Sequence, residues 1–91
     1  MKSFKFIISG KVQGVYYRKS IVNKAQRKGY SGYIKNLNDK TVEAVVTCNE
    51  ESVSDFIAML KEGSVNSVVK DIKQFDTDEI CEGKFRISNA L

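Results

Sequence analysis

Histidine is absent from this chain, and cysteine is scarce, with two residues in 91. With no imidazole, a zinc site would have to be completed by several carboxylates around Cys48 and Cys81, which is foreign to structural zinc. The two cysteines stand far apart and outside any C-x-x-C pair, so no zinc site is expected, and reduced thiols fit better than a disulfide. Neither has an arginine six residues later, so the C-x5-R arrangement of the thiol-dependent phosphatases is missing. Covalent catalysis by cysteine is not expected.

Long apolar runs are also missing. None approaches the roughly 20 residues that cross a bilayer. The start, Met1-Lys2-Ser3-Phe4, lacks a signal peptide's apolar stretch and small-residue cleavage site. A cytoplasmic chain with no membrane partner is expected, forming a single free-standing domain over 1–91.

Acids are scarce in one half. Residues 1–42 hold ten Lys or Arg against the single acid Asp39, and residues 43–91 hold five against ten. If the halves interleave in space, a basic face forms around the first glycine loop and an acidic one elsewhere. Most of these lysines are expected to be solvated.

That glycine loop organises the rest of the chain. Ser9-Gly10-Lys11-Val12-Gln13-Gly14-Val15-Tyr16-Tyr17-Arg18 follows an alternating segment, Phe4 to Ile8, that reads as a strand. It leads into a segment with helical spacing, where Tyr17, Ile21 and Ala25 fall four apart. A tight strand-to-helix loop leaves backbone N–H groups without partners, and with the helix dipole these form an anion cradle. Glycines let the backbone bend and a ligand approach, and Arg18 can grip a phosphate with two hydrogen bonds. The glycine spacing alone is equally that of an ordinary connecting loop.

In chain order the pattern gives a strand at 2–9, with Phe4, Phe6 and Ile8 on one face, and a helix at 16–28 stopped by Gly29. Strands at 30–37 and 41–48 follow, joined by Asn38-Asp39-Lys40 as an antiparallel hairpin. Asn49 offers an N-cap to a second helix that ends at Gly63, with Val53, Phe56, Ile57 and Leu60 as its apolar stripe. A strand at 68–75, an acidic loop at 76–82 and a short strand at 84–88 complete the chain. The order β-α-β-β-α-β predicts an α+β, ferredoxin-like sandwich with a short extra C-terminal strand. Two helices would pack on one face of a mainly antiparallel sheet.

Gly10-Lys11-Val12-Gln13-Gly14-Val15-Tyr16-Tyr17-Arg18 resembles the signature loop of the acylphosphatases. Gly32-Tyr33-Ile34-Lys35-Asn36, then a turn and Thr41-Val42-Glu43, resembles that family's second signature. The order of strands and helices matches the family over essentially all 91 residues. The resemblance implies hydrolysis of acyl phosphates to a carboxylate and inorganic phosphate, with no metal and no cofactor. It implies that the backbone amides of Val12, Gln13, Gly14, Val15, Tyr16 and Tyr17, together with Arg18, hold the phosphoryl group. It implies that Asn36 orients the attacking water, since its amide cannot titrate as a base but its carbonyl oxygen accepts a hydrogen bond. The substrate's own phosphate oxygen would take the proton. A monomer is expected, with no nucleic acid among its partners.

Blander readings stand beside these. An arginine at a helix start is often an ion-pair partner, and an asparagine before a turn is often only a turn former. Gln13 can brace the loop rather than touch ligand, Lys11 and Lys35 are expected to be solvated, and Tyr16 and Tyr17 suit core or pocket wall. The chain also departs from the family pattern at several positions. Tyr17 replaces a usual phenylalanine and brings a hydroxyl that needs a partner. Ile34 replaces a usual valine, Cys48 a common glycine, and the prolines common after the second helix are missing. Lys40 replaces a usual glycine, so Asn38 or Asp39 is expected to supply the left-handed turn residue.

Two other functions fit the residues less well. A ferredoxin-like RNA binder stacks bases on aromatics of its central strands, and the strand 41–48 has none. A non-catalytic phosphate-binding domain would not need both Arg18 and Asn36.

Overall fold

The computed structural model describes residues 1–88, so the carboxylate of Leu91 lies outside the described residues. Five strands form one sheet in the order β4-β1-β3-β2-β5. They are β1 (Lys2–Lys11), β2 (Ser31–Asn36), β3 (Val42–Cys48), β4 (Val68–Thr77) and β5 (Arg86–Ile87). All neighbours are antiparallel except β5, which runs parallel to β2. Helices α1 (Tyr17–Arg27) and α2 (Val53–Glu62) cover one face. A single 3-10 turn, Glu50–Ser52, precedes α2, so Asn49 caps that turn rather than the helix and makes no side-chain cap.

The core follows from register. Phe4, Phe6 and Ile8 of β1 lie opposite Val46, Ala44 and Val42 of β3, placing all six on the helix-covered face. From above, α1 contributes Tyr17, Ile21 and Ala25, and α2 contributes Phe56, Met59 and Leu60. Phe56 sits at the centre, its ring 5.5 Å from those of Phe6 and Tyr30 and 5.9 Å from that of Phe85. The expected α2 stripe is rotated slightly: Met59 is fully packed, while Val53 and Ile57 are partly buried.

The opposite face is not bare. On it lie Ser3, Lys5, Tyr33, Lys35, Glu43, Val45 and Thr47, and the whole of β3 is buried on both sides. To pass from β4 at one edge to β5 at the other, residues 78–85 cross this face. They are fastened by Tyr33 Oη to Glu79 (2.6 Å), by the Cys81 amide to Thr47 Oγ1 (2.9 Å) and by Ser31 Oγ to the Gly83 carbonyl (2.7 Å). Lys35 is therefore not simply solvated, since its ammonium lies 3.6 Å from Glu43 and 5.9 Å from the Tyr33 ring centre.

The two helices are joined by side chains of α1 that satisfy the last carbonyls of α2, groups with no partner inside their own helix. Tyr17 Oη donates to the Leu60 carbonyl (2.8 Å), and Ser20 Oγ (3.0 Å) and Lys24 Nζ (2.7 Å) donate to that of Gly63. The hydroxyl that Tyr17 adds to the pattern thus has a buried partner, and burial pushes its phenol well above the ordinary tyrosine range. Tyr17→Phe should leave the Leu60 carbonyl unsatisfied and cost about 1–2 kcal/mol in urea unfolding, with catalysis unchanged.

The hairpin turn differs from expectation. Lys40 itself takes the left-handed conformation, at φ 71°, and neither Asn38 nor Asp39 does. Asp39 instead turns its carboxylate back onto the Thr41 amide (3.1 Å), and that bond favours the geometry that pushes Lys40 across. An L-residue there costs roughly 1–2 kcal/mol, of which glycine gives back about 0.5–1 in chain entropy. Lys40→Gly should therefore stabilise the fold by about 0.5–1 kcal/mol, read from the urea midpoint at constant slope.

Candidate active site

The loop begins where β1 bends. Strand β1 runs past its expected end to Lys11, with a register shift against β4 between Ser9 and Gly10. Gly10, at φ 126°, lies so close to β4 that a Cβ would collide with the Val68 carbonyl. Its glycine serves strand packing. Gly14, at φ 73°, has open space around it and faces the cleft.

Tyr16 ends the loop as N-cap of α1, also left-handed at φ 60°, and its side chain makes no capping bond. Among the described residues, the amides from Val12 to Tyr17 donate to no backbone acceptor. The first turn of α1 holds no acid and carries Arg18 and Lys19, an arrangement opposed to the helix dipole. Free amides, dipole and basic side chains all favour an anion here.

The cleft beside this loop has a volume of about 360 Å³ and is lined by Val12, Gly14, Tyr16, Tyr17, Arg18, Lys19 and Ile87. Charge pairing sharpens it. All five ion pairs among the described residues join a cation from the basic first half to an acid of the second: Lys2–Glu50, Lys5–Glu43, Lys24–Glu62, Lys28–Asp55 and Lys35–Glu43. Lys11, Arg18 and Lys19 take no part in them. Folding thus pairs five of the ten cations of the first half, and of the five in no ion pair among the described residues, Lys11, Arg18 and Lys19 lie on or beside the loop. Arg18 is half-buried and has no carboxylate partner among the described residues.

Asn36 is the last residue of β2. Its Oδ1 is buried without a hydrogen-bond partner, alone in this respect among the described side-chain atoms. An orphan of this kind costs about 1–3 kcal/mol, so a fold that retains one needs a reason. The neighbouring turn is tied to the loop by Gln13, whose Nε2 donates to the carbonyls of Leu37 (3.0 Å) and Thr41 (2.9 Å). The two motifs, more than twenty residues apart in sequence, therefore meet at one end of the sheet. Of the expected site side chains, Tyr17 points into the core rather than the cleft interior, whereas Tyr16 is 77% exposed at the rim.

One contributor, Ile87, is absent from the sequence reading, and the brace expected of Gln13 is found with its partners named. Ile87 reaches the cleft only because β5 pairs with β2 opposite Ile34, a contact no local pattern announces. The bonding of the Gln13 side chain was legible only as a generic brace.

A family model described as Acylphosphatase matches residues 4–87. The chain belongs to the acylphosphatase family. An acylphosphatase of Acaryochloris marina is 40% identical over 87 residues, covering 96% of this chain and 90% of that protein. One from Bacillus licheniformis is 36% identical over 90 residues, covering 97% and 99%. The crystal structure of acylphosphatase from Bacillus subtilis superimposes with a TM-score of 0.86 at 31% identity, covering 97% of this chain and 99% of that one. The ferredoxin-like sandwich is thus the acylphosphatase fold, and both signature segments lie inside the matched region. Membership makes the chain a hydrolase of acyl phosphates that releases inorganic phosphate. No helix among the described residues is long and apolar enough to cross a membrane.

Proposed function

We propose that the amides of Val12, Gln13, Gly14, Val15, Tyr16 and Tyr17, with the Arg18 guanidinium, bind the phosphoryl group of an acyl phosphate, and that Asn36 orients the attacking water. The observation that carries this reading is the pairing of unpartnered donors in the loop with an unpartnered acceptor, Asn36 Oδ1, at the strand end clamped to it. Phosphoryl transfer asks the protein for positioning and charge stabilisation rather than for covalent chemistry. The loop amides and Arg18 supply donors to the non-bridging oxygens as charge develops. Water donates one hydrogen bond to Asn36 Oδ1 and turns a lone pair toward phosphorus.

As the water oxygen bonds to phosphorus, the bond from phosphorus to the acyl oxygen breaks and its electron pair leaves on the carboxylate. A phosphate oxygen takes the water's proton. Tyr17 is no acid in this scheme, because its proton is committed to the Leu60 carbonyl and burial holds the phenol neutral. A carboxylate is a good leaving group, so none is required.

The chain acts as a cytoplasmic monomer in this reading, without nucleic-acid, membrane or cofactor partners. The crossing of residues 78–85 over the helix-free face supports the exclusion of RNA, since that face is where such modules stack bases. Benzoyl phosphate hydrolysis in the presence of chelator tests the reading. Turnover with competitive inhibition by inorganic phosphate is expected. A chain that binds phosphate but never turns over the anhydride would instead be a binding domain.

A further inference from the structure

Strands β1 and β2 are not neighbours, because β3 lies between them. At about 4.8 Å per strand, the phosphate loop that follows β1 and the Asn36 end of β2 start roughly 10 Å apart. Gln13 spans that gap. A carboxamide nitrogen carries two hydrogens, and here both are used, on Leu37 just after β2 and on Thr41 just before β3. The same carbonyls accept the turn's own bonds, Lys40 N to Leu37 O (3.2 Å) and Leu37 N to Thr41 O (2.9 Å). The side chain thus completes the closure of the turn as an extra rung, while its backbone sits within the row of free loop amides.

We propose that the Gln13 side chain is a positioning residue that sets the separation between the phosphate loop and Asn36. In the reading above this is the separation between phosphorus and the attacking water, and the inference rests on that reading. A misplacement of about 1 Å can cost on the order of 10²-fold in rate while leaving each half-site intact. Loss of the joint therefore lowers kcat and spares phosphate binding, which the loop and Arg18 provide without Asn36.

The test compares wild type, Gln13→Met, Asn36→Ala and the double variant. Methionine keeps the length and volume of glutamine but has no hydrogens to donate; Gln13→Ala serves as a second variant if methionine fails to fold. For benzoyl phosphate, Gln13→Met should lower kcat by about 10- to 100-fold, with the inhibition constant of inorganic phosphate within about threefold of wild type. In the Asn36→Ala background the same substitution should cost less than about threefold, because the water it positioned is no longer held.

An unchanged kcat in Gln13→Met would overturn the proposal. So would a parallel loss of phosphate affinity, or a loss of equal size with and without Asn36, either of which marks a role in loop integrity alone. Full activity of Asn36→Ala would show instead that the underlying mechanism is wrong.

Discussion

Asn36→Ala should lower kcat for benzoyl phosphate by about 10²–10³-fold, the range seen when a group that organises the transition state is removed. The protein should remain at least as stable as wild type. The second half of this prediction is as informative as the first. Asn36 Oδ1 is buried without a partner, so its removal takes away an unsatisfied acceptor rather than a contact. A turn former would behave in the opposite way, since losing it would weaken the hairpin and spare the chemistry. Phosphate inhibition should be retained within a few-fold, because no part of the proposed phosphate cradle is touched. Steady-state kinetics beside a urea titration separates the two cases.

Arg18→Ala should lower kcat/KM by about 10³-fold or more, by comparison with other arginines that stabilise a transferring phosphoryl group. Phosphate inhibition should disappear with it. Arg18→Lys should recover little, because an ammonium cannot offer two parallel donors from one plane. Stability should again not fall. Arg18 has no acidic partner among the described residues and stands in the first turn of α1, where a cation opposes the helix dipole. The two substitutions thus predict different signatures: one removes turnover and keeps the anion, the other removes both.

Both predictions concern groups that the fold holds at a cost. The orphan acceptor of Asn36, the unpaired amides of the loop, the left-handed Tyr16 and the basic first turn of α1 each oppose stability locally. They gather at one end of the sheet. Apart from the left-handed Lys40, the remainder of the molecule obeys the ordinary rules, with an apolar core centred on Phe56 and cations paired across the two halves of the chain.

Much of this could be read from the residues because the signals are local. Alternation in β1, the spacing of Tyr17, Ile21 and Ala25, and the hairpin at Asn38–Lys40 each depend on neighbours a few positions away. Boundaries and tertiary details did not. The extension of β1 to Lys11 depends on pairing with Val68, and the 3-10 entry to α2 on how that helix docks. Lys40 takes the left-handed position because Asp39 is occupied by the Thr41 amide. The acidic stretch that reads simply as a loop covers the second face of the sheet, and its first residues, Asp76 and Thr77, belong to β4. The site itself divides the same way. The loop and Asn36 were visible as motifs, whereas the joint between them depends on a side chain meeting carbonyls 24 and 28 residues away.

The most direct test of the central claim is hydrolysis of benzoyl phosphate in ¹⁸O-labelled water, with both products analysed by mass spectrometry. Water held by Asn36 against a phosphoryl group bound in the loop attacks phosphorus. One labelled oxygen should then appear in inorganic phosphate and none in benzoate after a single turnover. Label in benzoate would mean attack at the acyl carbon, and would contradict the assignment of the loop, Arg18 and Asn36 to phosphoryl transfer.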